Sequence, residues 1–121
     1  MADYPQKIRA DRVKEATATT GTSTYILGGA PQGFLTFLAT VPDNGIFDYG
    51  VTEIFGPSWE NGLGRYSTVT NSVQRVQIYS SSNNNQAVNW ADQAKQIFLT
   101  VNAASIVALT DDSVLNSLIL G

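Results

Sequence analysis

The chain has 121 residues and a formal net charge of −3, with 43% apolar but only 14% charged residues. Cysteine and histidine are both absent, which excludes disulfides, thiolate sites, most zinc sites and the Ser-His-Asp and Cys-His catalytic arrangements. We therefore expect one domain whose surface is covered largely by Ser, Thr, Asn, Gln and Gly.

The N-terminal residues 1–13 lack the apolar pattern of a core element and are predicted to form an extended arm. Residues 1–15 carry a charge of +1, and their cations are Lys7, Arg9, Arg12 and Lys14. Such an arm could dock against an acidic neighbour or be solvated, and +1 is too little for a nucleic-acid interface. No run is apolar enough for a membrane span or a signal peptide, so a cytosol-like compartment is expected.

Residues 14–27 alternate small and hydroxylated residues around Gly21-Thr22 and are rich in β-branched residues, which predicts a β-hairpin. The sequence GGAPQG at 28–33 is typical of a turn, because its glycines can adopt positive φ and its proline fixes φ. Residues 34–41 fit either a short helical turn or a buried strand, since periodicity alone does not separate the two.

The sequence PDNG at 42–45 predicts a turn, and a half-buried strand should follow it. The inward-facing residues of that strand, on alternate positions, are expected to be Phe47, Tyr49, Val51 and Phe55. Pro57 has no amide hydrogen for a ladder, so the strand should end there.

Residues 59–69, WENGLGRYSTV, predict the start of a strand pair with Asn61-Gly62 as its two-residue turn. The next predicted strand is VQRVQIYS at 73–80. It should place Val76 and Ile78 on one face, and a slip of phase at Val73 indicates a bulge.

A polar loop and a short irregular segment precede the last predicted strand, KQIFLTVNA at 95–103. Its inward residues should be Ile97, Leu99 and Val101. Six or more short strands, with turn signals about every ten residues, indicate an antiparallel sandwich, barrel or jelly roll. We predict an all-β fold, an antiparallel, jelly-roll-like β-sandwich over residues 14–105.

The C-terminal residues 106–121 are predicted to form a separate apolar tail. Asp111, Asp112 and Ser113 can start a helix, but about two turns are too few to be stable alone. The tail must bury its apolar residues either on the chain's own sheet or against another subunit. The residues predicted for such an oligomer interface are Leu115, Leu118, Ile119 and Leu120.

Two patterns suggest ligand chemistry. Gly62, Gly64 and Arg65 resemble part of a phosphate-binding loop, but the third glycine of the dinucleotide fingerprint and the Lys-Ser or Lys-Thr of a P-loop are missing. A turn is therefore favoured there. The segments PDNG and Thr110–Asp112 offer oxygen ligands without the spacing of a calcium loop, so a turn and a helix start are favoured.

Carboxylates and aromatic residues provide the remaining candidates. A glycosidase-type acid pair could come from Asp43, Asp48, Glu53, Glu60 and Asp92. Glu60 beside Trp59 is the best single candidate, although solvated surface carboxylates explain all five. A carbohydrate-stacking patch could come from Trp59, Tyr66, Tyr79 and Trp90, although core or interface positions are commoner for such residues. We predict no catalytic, cofactor-binding or metal-binding residue.

Several motifs occur in a recognisable order between residues 11 and 103: Asp-Arg-Val-Lys-Glu, Gly-Ala-Pro-x-Gly-Phe, Trp-Glu-x-Gly-x-Gly-x-Tyr, Ser-Ser-Asn and Val-Asn-Trp. In this order they resemble a β-rich module of structural proteins from tailed bacteriophages. The resemblance implies a virion component. A single module with a basic arm and an apolar tail is most similar to a capsid decoration or cement protein.

That resemblance implies a non-enzymatic homotrimer that is assembled in the bacterial host cytoplasm and binds the major capsid protein, with no nucleic acid, membrane or cofactor. Residues 11–15 would join the arm to the sandwich and contact the shell, and the arm would bind the capsid through Lys7, Arg9, Arg12 and Lys14. A tight hairpin would hold Trp59, Glu60, Gly62, Gly64 and Tyr66. The alternative is a tail, tailspike or fibre module with an adaptor or receptor-binding role, and a small carboxylate enzyme is the least favoured hypothesis.

Overall fold

The computed structural model of the chain describes residues 6–101. These residues form an all-β structure in which six antiparallel strands make one sheet, in the order β1-β6-β3-β4-β5-β2. The strands are β1 (Lys14–Thr17), β2 (Tyr25–Ile26), β3 (Ile46–Glu53), β4 (Trp59–Ser67), β5 (Ser72–Ser81) and β6 (Lys95–Thr100). The helix among them, α1, is Phe37–Thr40. The predicted tail, 106–121, lies outside the described residues, as do its four proposed interface residues.

The sheet curls into a nearly closed barrel. Its two outer strands, β1 and β2, meet at an antiparallel bridge between Thr17 and Leu27. Beside that bridge the Ala16 amide donates to the Gly29 carbonyl at 2.9 Å, and the Gly28 amide donates to the Ala16 carbonyl at 2.8 Å. Closure removes most of the exposed sheet edge. The all-β class is confirmed, whereas a jelly-roll-like sandwich is not, because the six strands belong to one sheet.

Residues 14–27 do contain two strands, but these strands do not form the predicted hairpin. β1 pairs with β6, and β2 pairs with β5 at the other edge of the sheet. The Thr17 side chain spans the gap by donating to the Ile26 carbonyl at 2.7 Å. Residues 34–41 form the short helical turn, α1, and not a buried strand, since Leu35 makes only an isolated bridge to Val13 and is 48% exposed.

The predicted hairpin at Asn61-Gly62 is wrong, because β4 runs unbroken through both residues. The barrel interior explains the two glycines. A Cβ on Gly62 would lie 2.8 Å from the Tyr49 hydroxyl, and one on Gly64 would lie 2.7 Å from a methyl group of Val73. The atom nearest to the Gly62 position is the Gln77 carbonyl oxygen, so the backbone and Val73 of β5, together with Tyr49 of β3, require small residues at both positions of β4.

The core confirms part of the predicted burial pattern. Phe47, Tyr49 and Val51 point into the barrel and belong to its hydrophobic cluster. Phe55 does not, because β3 ends at Glu53 and Phe55 stands 87% exposed in the following turn. The outer face of β3 is covered as well, since the ring of Phe98 lies over Gly50.

Strand β5 differs from its prediction in the position of its bulges, and strand β6 differs in where it ends. The register of β4 against β5 skips Tyr79 and Val76, so the bulges lie there, whereas Val73 is regularly paired with Tyr66. On β6, Ile97 is buried and Leu99 packs against the core, as predicted. Val101 lies beyond the end of the strand and is 42% exposed.

Candidate functional site

A buried carboxylate network occupies the barrel interior around Glu60. One oxygen, Oε2, accepts hydrogen bonds from the hydroxyls of Tyr25 at 2.7 Å and Tyr49 at 2.5 Å and from Nε of Arg75 at 2.9 Å. The other, Oε1, accepts from the Val88 amide at 2.9 Å and forms the ion pair with Nη2 of Arg75. Glu60 is fully buried.

Two further contacts fix the shape of this network. Nε1 of Trp90 donates to the Tyr25 hydroxyl at 2.8 Å, which leaves that hydroxyl oriented toward Glu60. Nη2 of Arg75 also donates to the Val88 carbonyl at 3.0 Å, and the guanidinium lies 4.9 Å from the centre of the Tyr25 ring. Charge, aromatic packing and loop backbone are therefore joined in one unit.

The protonation states follow from the partners. Burial by itself raises the pKa of Glu60, but the bonds from Arg75, Tyr49, the Val88 amide and Tyr25 outweigh burial and hold the pKa below its ordinary value. Burial and then the nearby Glu60 charge raise the pKa of Tyr25 far above its ordinary value. Glu60 thus stays ionised and the phenols stay protonated, so the carboxylate is an acceptor with its oxygens occupied.

This arrangement gives Glu60 a structural role and no open position for a substrate. Three of the other four predicted carboxylates are also engaged in the fold, whereas Asp92 is exposed. Asp43 accepts from the Thr68 amide at 2.9 Å, Glu53 accepts from the Ser58 amide at 3.0 Å, and Asp48 is buried against Lys7 at 3.3 Å. Among residues 6–101, no three acidic residues come together as a metal site would require.

A second buried charge ties two loops to the barrel. Nζ of Lys95 donates to the carbonyls of Thr19 at 2.9 Å, Gln93 at 2.8 Å and Ala91 at 3.4 Å. Burial lowers the pKa of Lys95, while Glu53 and Asp92 raise it in part. Three carbonyl acceptors satisfy the three ammonium hydrogens, so Lys95 links the segment after β1 to the segment before β6.

The four predicted arm cations separate into different environments. Lys7 pairs with Asp48 and lies 5.7 Å from the ring centre of Tyr79, so it fastens the N-terminal segment to the barrel. The backbone beside it is fixed too, because the Ile8 amide donates to the Ile46 carbonyl at 2.7 Å. Arg9 is exposed.

Arg12 and Lys14 instead converge on one aromatic ring. Cζ of Arg12 lies 4.3 Å and Nζ of Lys14 lies 4.4 Å from the ring centre of Phe34. We call these three residues the cation clamp. The sequence analysis identifies both cations as arm residues but places Phe34 only in a helix or strand. The position of Phe34 beside the cations depends on the bridge between Leu35 and Val13.

The predicted aromatic patch is dispersed. Tyr66 and Trp90 are buried in the core, whereas Trp59 is 38% exposed and Tyr79 is half-buried over Asp48. Phe55, in the loop after β3, is also exposed and lies four positions before Trp59 in sequence. The sequence also missed Arg75 and both tyrosines that hold Glu60. The available signal was Arg75, which is the charged residue in the predicted strand at 73–80.

Comparison with protein-family models, curated proteins and solved structures found no match to this chain. The described residues contain no helix of the length and apolar character that a membrane crossing requires.

Proposed function

We propose that this chain is a non-enzymatic structural protein of a virion, a head decoration or cement protein that binds the major capsid protein as a homotrimer. The order of motifs along residues 11–103 supports the virion assignment. The observation that supports a binding role for the barrel is its division of charge: Glu60, Arg75, Asp48, Lys7 and Lys95 are engaged internally. Arg12 and Lys14 remain at the surface on Phe34.

A cement protein must resist deformation while it joins neighbouring shell subunits. The nearly closed barrel and the internal Glu60 network suit that task, because satisfied buried polar networks rigidify a core. The low content of charged residues suits close packing against protein surfaces, since few charges need to be desolvated. A two-layer, jelly-roll-like arrangement is not required for this role.

The test of the function is the ratio of this chain to the major capsid protein in purified particles, measured by quantitative mass spectrometry. Near-parity is expected for a head cement protein. A ratio of a few per hundred would refute the head assignment. Sedimentation analysis of the purified chain tests the trimer, and truncation after Ser105 tests whether the apolar tail contributes to it.

A tail, tailspike or fibre module with an adaptor or receptor-binding role is the second candidate. The exposed Phe55 and Trp59 at the β3–β4 connection favour it, because exposed aromatic rings can stack on a glycan or enter a pocket of a partner. A low copy number in particles, together with binding to host surface glycans, would support this alternative.

A further inference from the structure

The cation clamp carries two positive charges without a carboxylate partner among residues 6–101. The ion pairs of that part of the chain are Lys7–Asp48 and Arg75–Glu60. Arg12 and Lys14 both lie within 4.4 Å of the Phe34 ring centre, so their charges are gathered at one place. Two like charges held together favour an anion beside them.

The backbone holds Arg12 in an unusual conformation. Its φ of 61° is one that L side chains rarely adopt. Nε of Arg12 donates to the Gly33 carbonyl at 2.8 Å, and Gly33 itself has a φ of 87°. No hydrogen bond within residues 6–101 occupies the terminal nitrogens of Arg12. A position that favours glycine or asparagine therefore carries an arginine whose terminal nitrogens have no hydrogen-bond partner within the described part of the chain, and such costly positions cluster at binding sites.

A cavity of about 310 Å³ opens at the clamp. It is lined by Arg12, Val13, Lys14, Phe34, Phe98 and Leu99. Its lining thus combines two cations with apolar side chains. A carboxylate can bind the fork of a guanidinium through two parallel hydrogen bonds, while a neighbouring apolar side chain fills the remaining space.

We propose that the cation clamp binds an acidic segment of a partner protein, with an Asp or Glu carboxylate on Arg12 and Lys14 and an adjacent apolar side chain in the cavity. This inference rests on the proposed function, in which the partner is the major capsid protein. It also selects Arg12 and Lys14 from the four predicted arm cations, because Lys7 pairs with Asp48 and the cations that lie over the Phe34 ring are Arg12 and Lys14.

The first experiment is an NMR titration of the full chain with an acetylated, amidated hexapeptide of sequence Leu-Asp-Glu-Leu-Glu-Asp. Its control is the same peptide with Asn and Gln in place of the acids. The acidic peptide should shift the amide signals of Lys14, Gly33 and Phe34, and the shifts should shrink as salt shortens the range of charge interactions. Equal binding of both peptides would overturn the proposal.

Variants locate the binding energy. Arg12→Gln and Lys14→Gln should each weaken the acidic peptide about tenfold, as expected for loss of one charged hydrogen bond. Arg65→Gln removes a charge elsewhere on the barrel and should leave the affinity unchanged. Well-dispersed spectra establish that each variant is folded. If Arg65→Gln has the same effect as Arg12→Gln, the contact is non-specific and the proposal fails. Tighter binding of a single-stranded oligonucleotide of equal charge would also overturn it.

Capsid binding separates this proposal from the proposed function. If the chain is abundant on heads but Arg12→Gln and Lys14→Gln bind capsids as the wild type does, the clamp proposal fails and the cement function stands. If the chain is scarce in particles, the cement function fails, whereas binding of the acidic peptide still shows what chemistry the clamp recognises.

Discussion

Glu60→Gln is the substitution that tests the buried network most directly. The amide keeps the size of the side chain but removes its charge and presents an NH2 group toward the network, so Arg75 is left buried without a counter-ion. Breaking one side of a buried ion pair costs about 3–5 kcal/mol. The retained contacts of Arg75 to the carbonyls of Val88 and Ser23 offset part of that cost. We expect a loss of about 3 kcal/mol in the free energy of unfolding.

Urea titration followed by tryptophan fluorescence measures this loss, since Trp90 belongs to the network. Glu53→Gln is the matched control, because Glu53 is only partly buried and accepts one backbone amide. Its loss should stay below about 1 kcal/mol. A double-mutant cycle with Arg75→Gln should show a favourable coupling of at least about 1.5 kcal/mol. Equal losses in Glu60→Gln and Glu53→Gln, or no coupling, would refute the reasoning.

Acid should destabilise the wild type more than Glu60→Gln. The folded pKa of Glu60 lies below its ordinary value of 4.5. The stabilisation by Glu60 is therefore complete above that value and is lost as the pH falls through the folded pKa, which urea midpoints measured at successively lower pH will show. Gly62→Ala should cost about 1–3 kcal/mol, measured by thermal unfolding, because its Cβ would overlap the Gln77 carbonyl oxygen and then the Tyr49 hydroxyl. Lys95→Met should speed hydrogen exchange at the Gly21 and Trp90 amides, which bond to each other's carbonyls between the loops that Lys95 holds.

Each of these predictions has its own contradiction. Parallel pH profiles for the wild type and Glu60→Gln would mean that Glu60 does not carry the acid sensitivity. Asn61→Ala is the control for Gly62→Ala, because Asn61 is the next residue on the strand and faces the other side of the sheet. A larger loss at Asn61 would contradict the packing argument. Unchanged exchange in Lys95→Met would show that the carbonyl contacts do not hold the loops.

The sequence was informative where a local pattern determines the structure. The turn at 42–45 forms with the Gly45 amide bonded to the Pro42 carbonyl, and the strands around Tyr49 and Ile97 lie where alternation predicted them. The hairpin prediction at Asn61-Gly62 was wrong because the pair favours a tight turn locally, whereas Gln77, Val73 and Tyr49 leave no room for a Cβ at Gly62 or Gly64 in the middle of a strand. Packing across the barrel decided between the two, and one sequence contains no direct sign of it.

Only part of the Glu60 network could be predicted from the sequence, for a similar reason. Glu60 stood out beside Trp59, but its ion-pair partner is 15 positions away and the Tyr25 hydroxyl is 35 positions away. Such distant partners cannot be assigned before the strand order is known. More of the cation clamp could be predicted from the sequence, because Arg12 and Lys14 are only two positions apart. The position of its aromatic residue, Phe34, could not be predicted without knowing that Leu35 pairs with Val13.

The order of strands also has a consequence for how the chain folds. β3, β4 and β5 pair with their neighbours in sequence, so this meander can form early. β1 pairs with β6, the last strand of the described chain, and therefore depends on contacts between distant parts of the sequence. Such contacts slow folding, because loop closure must be completed before they form. During synthesis, β1 cannot pair until β6 has left the ribosome. The bridge between Thr17 and Leu27 therefore completes the barrel only after β1 has paired with β6.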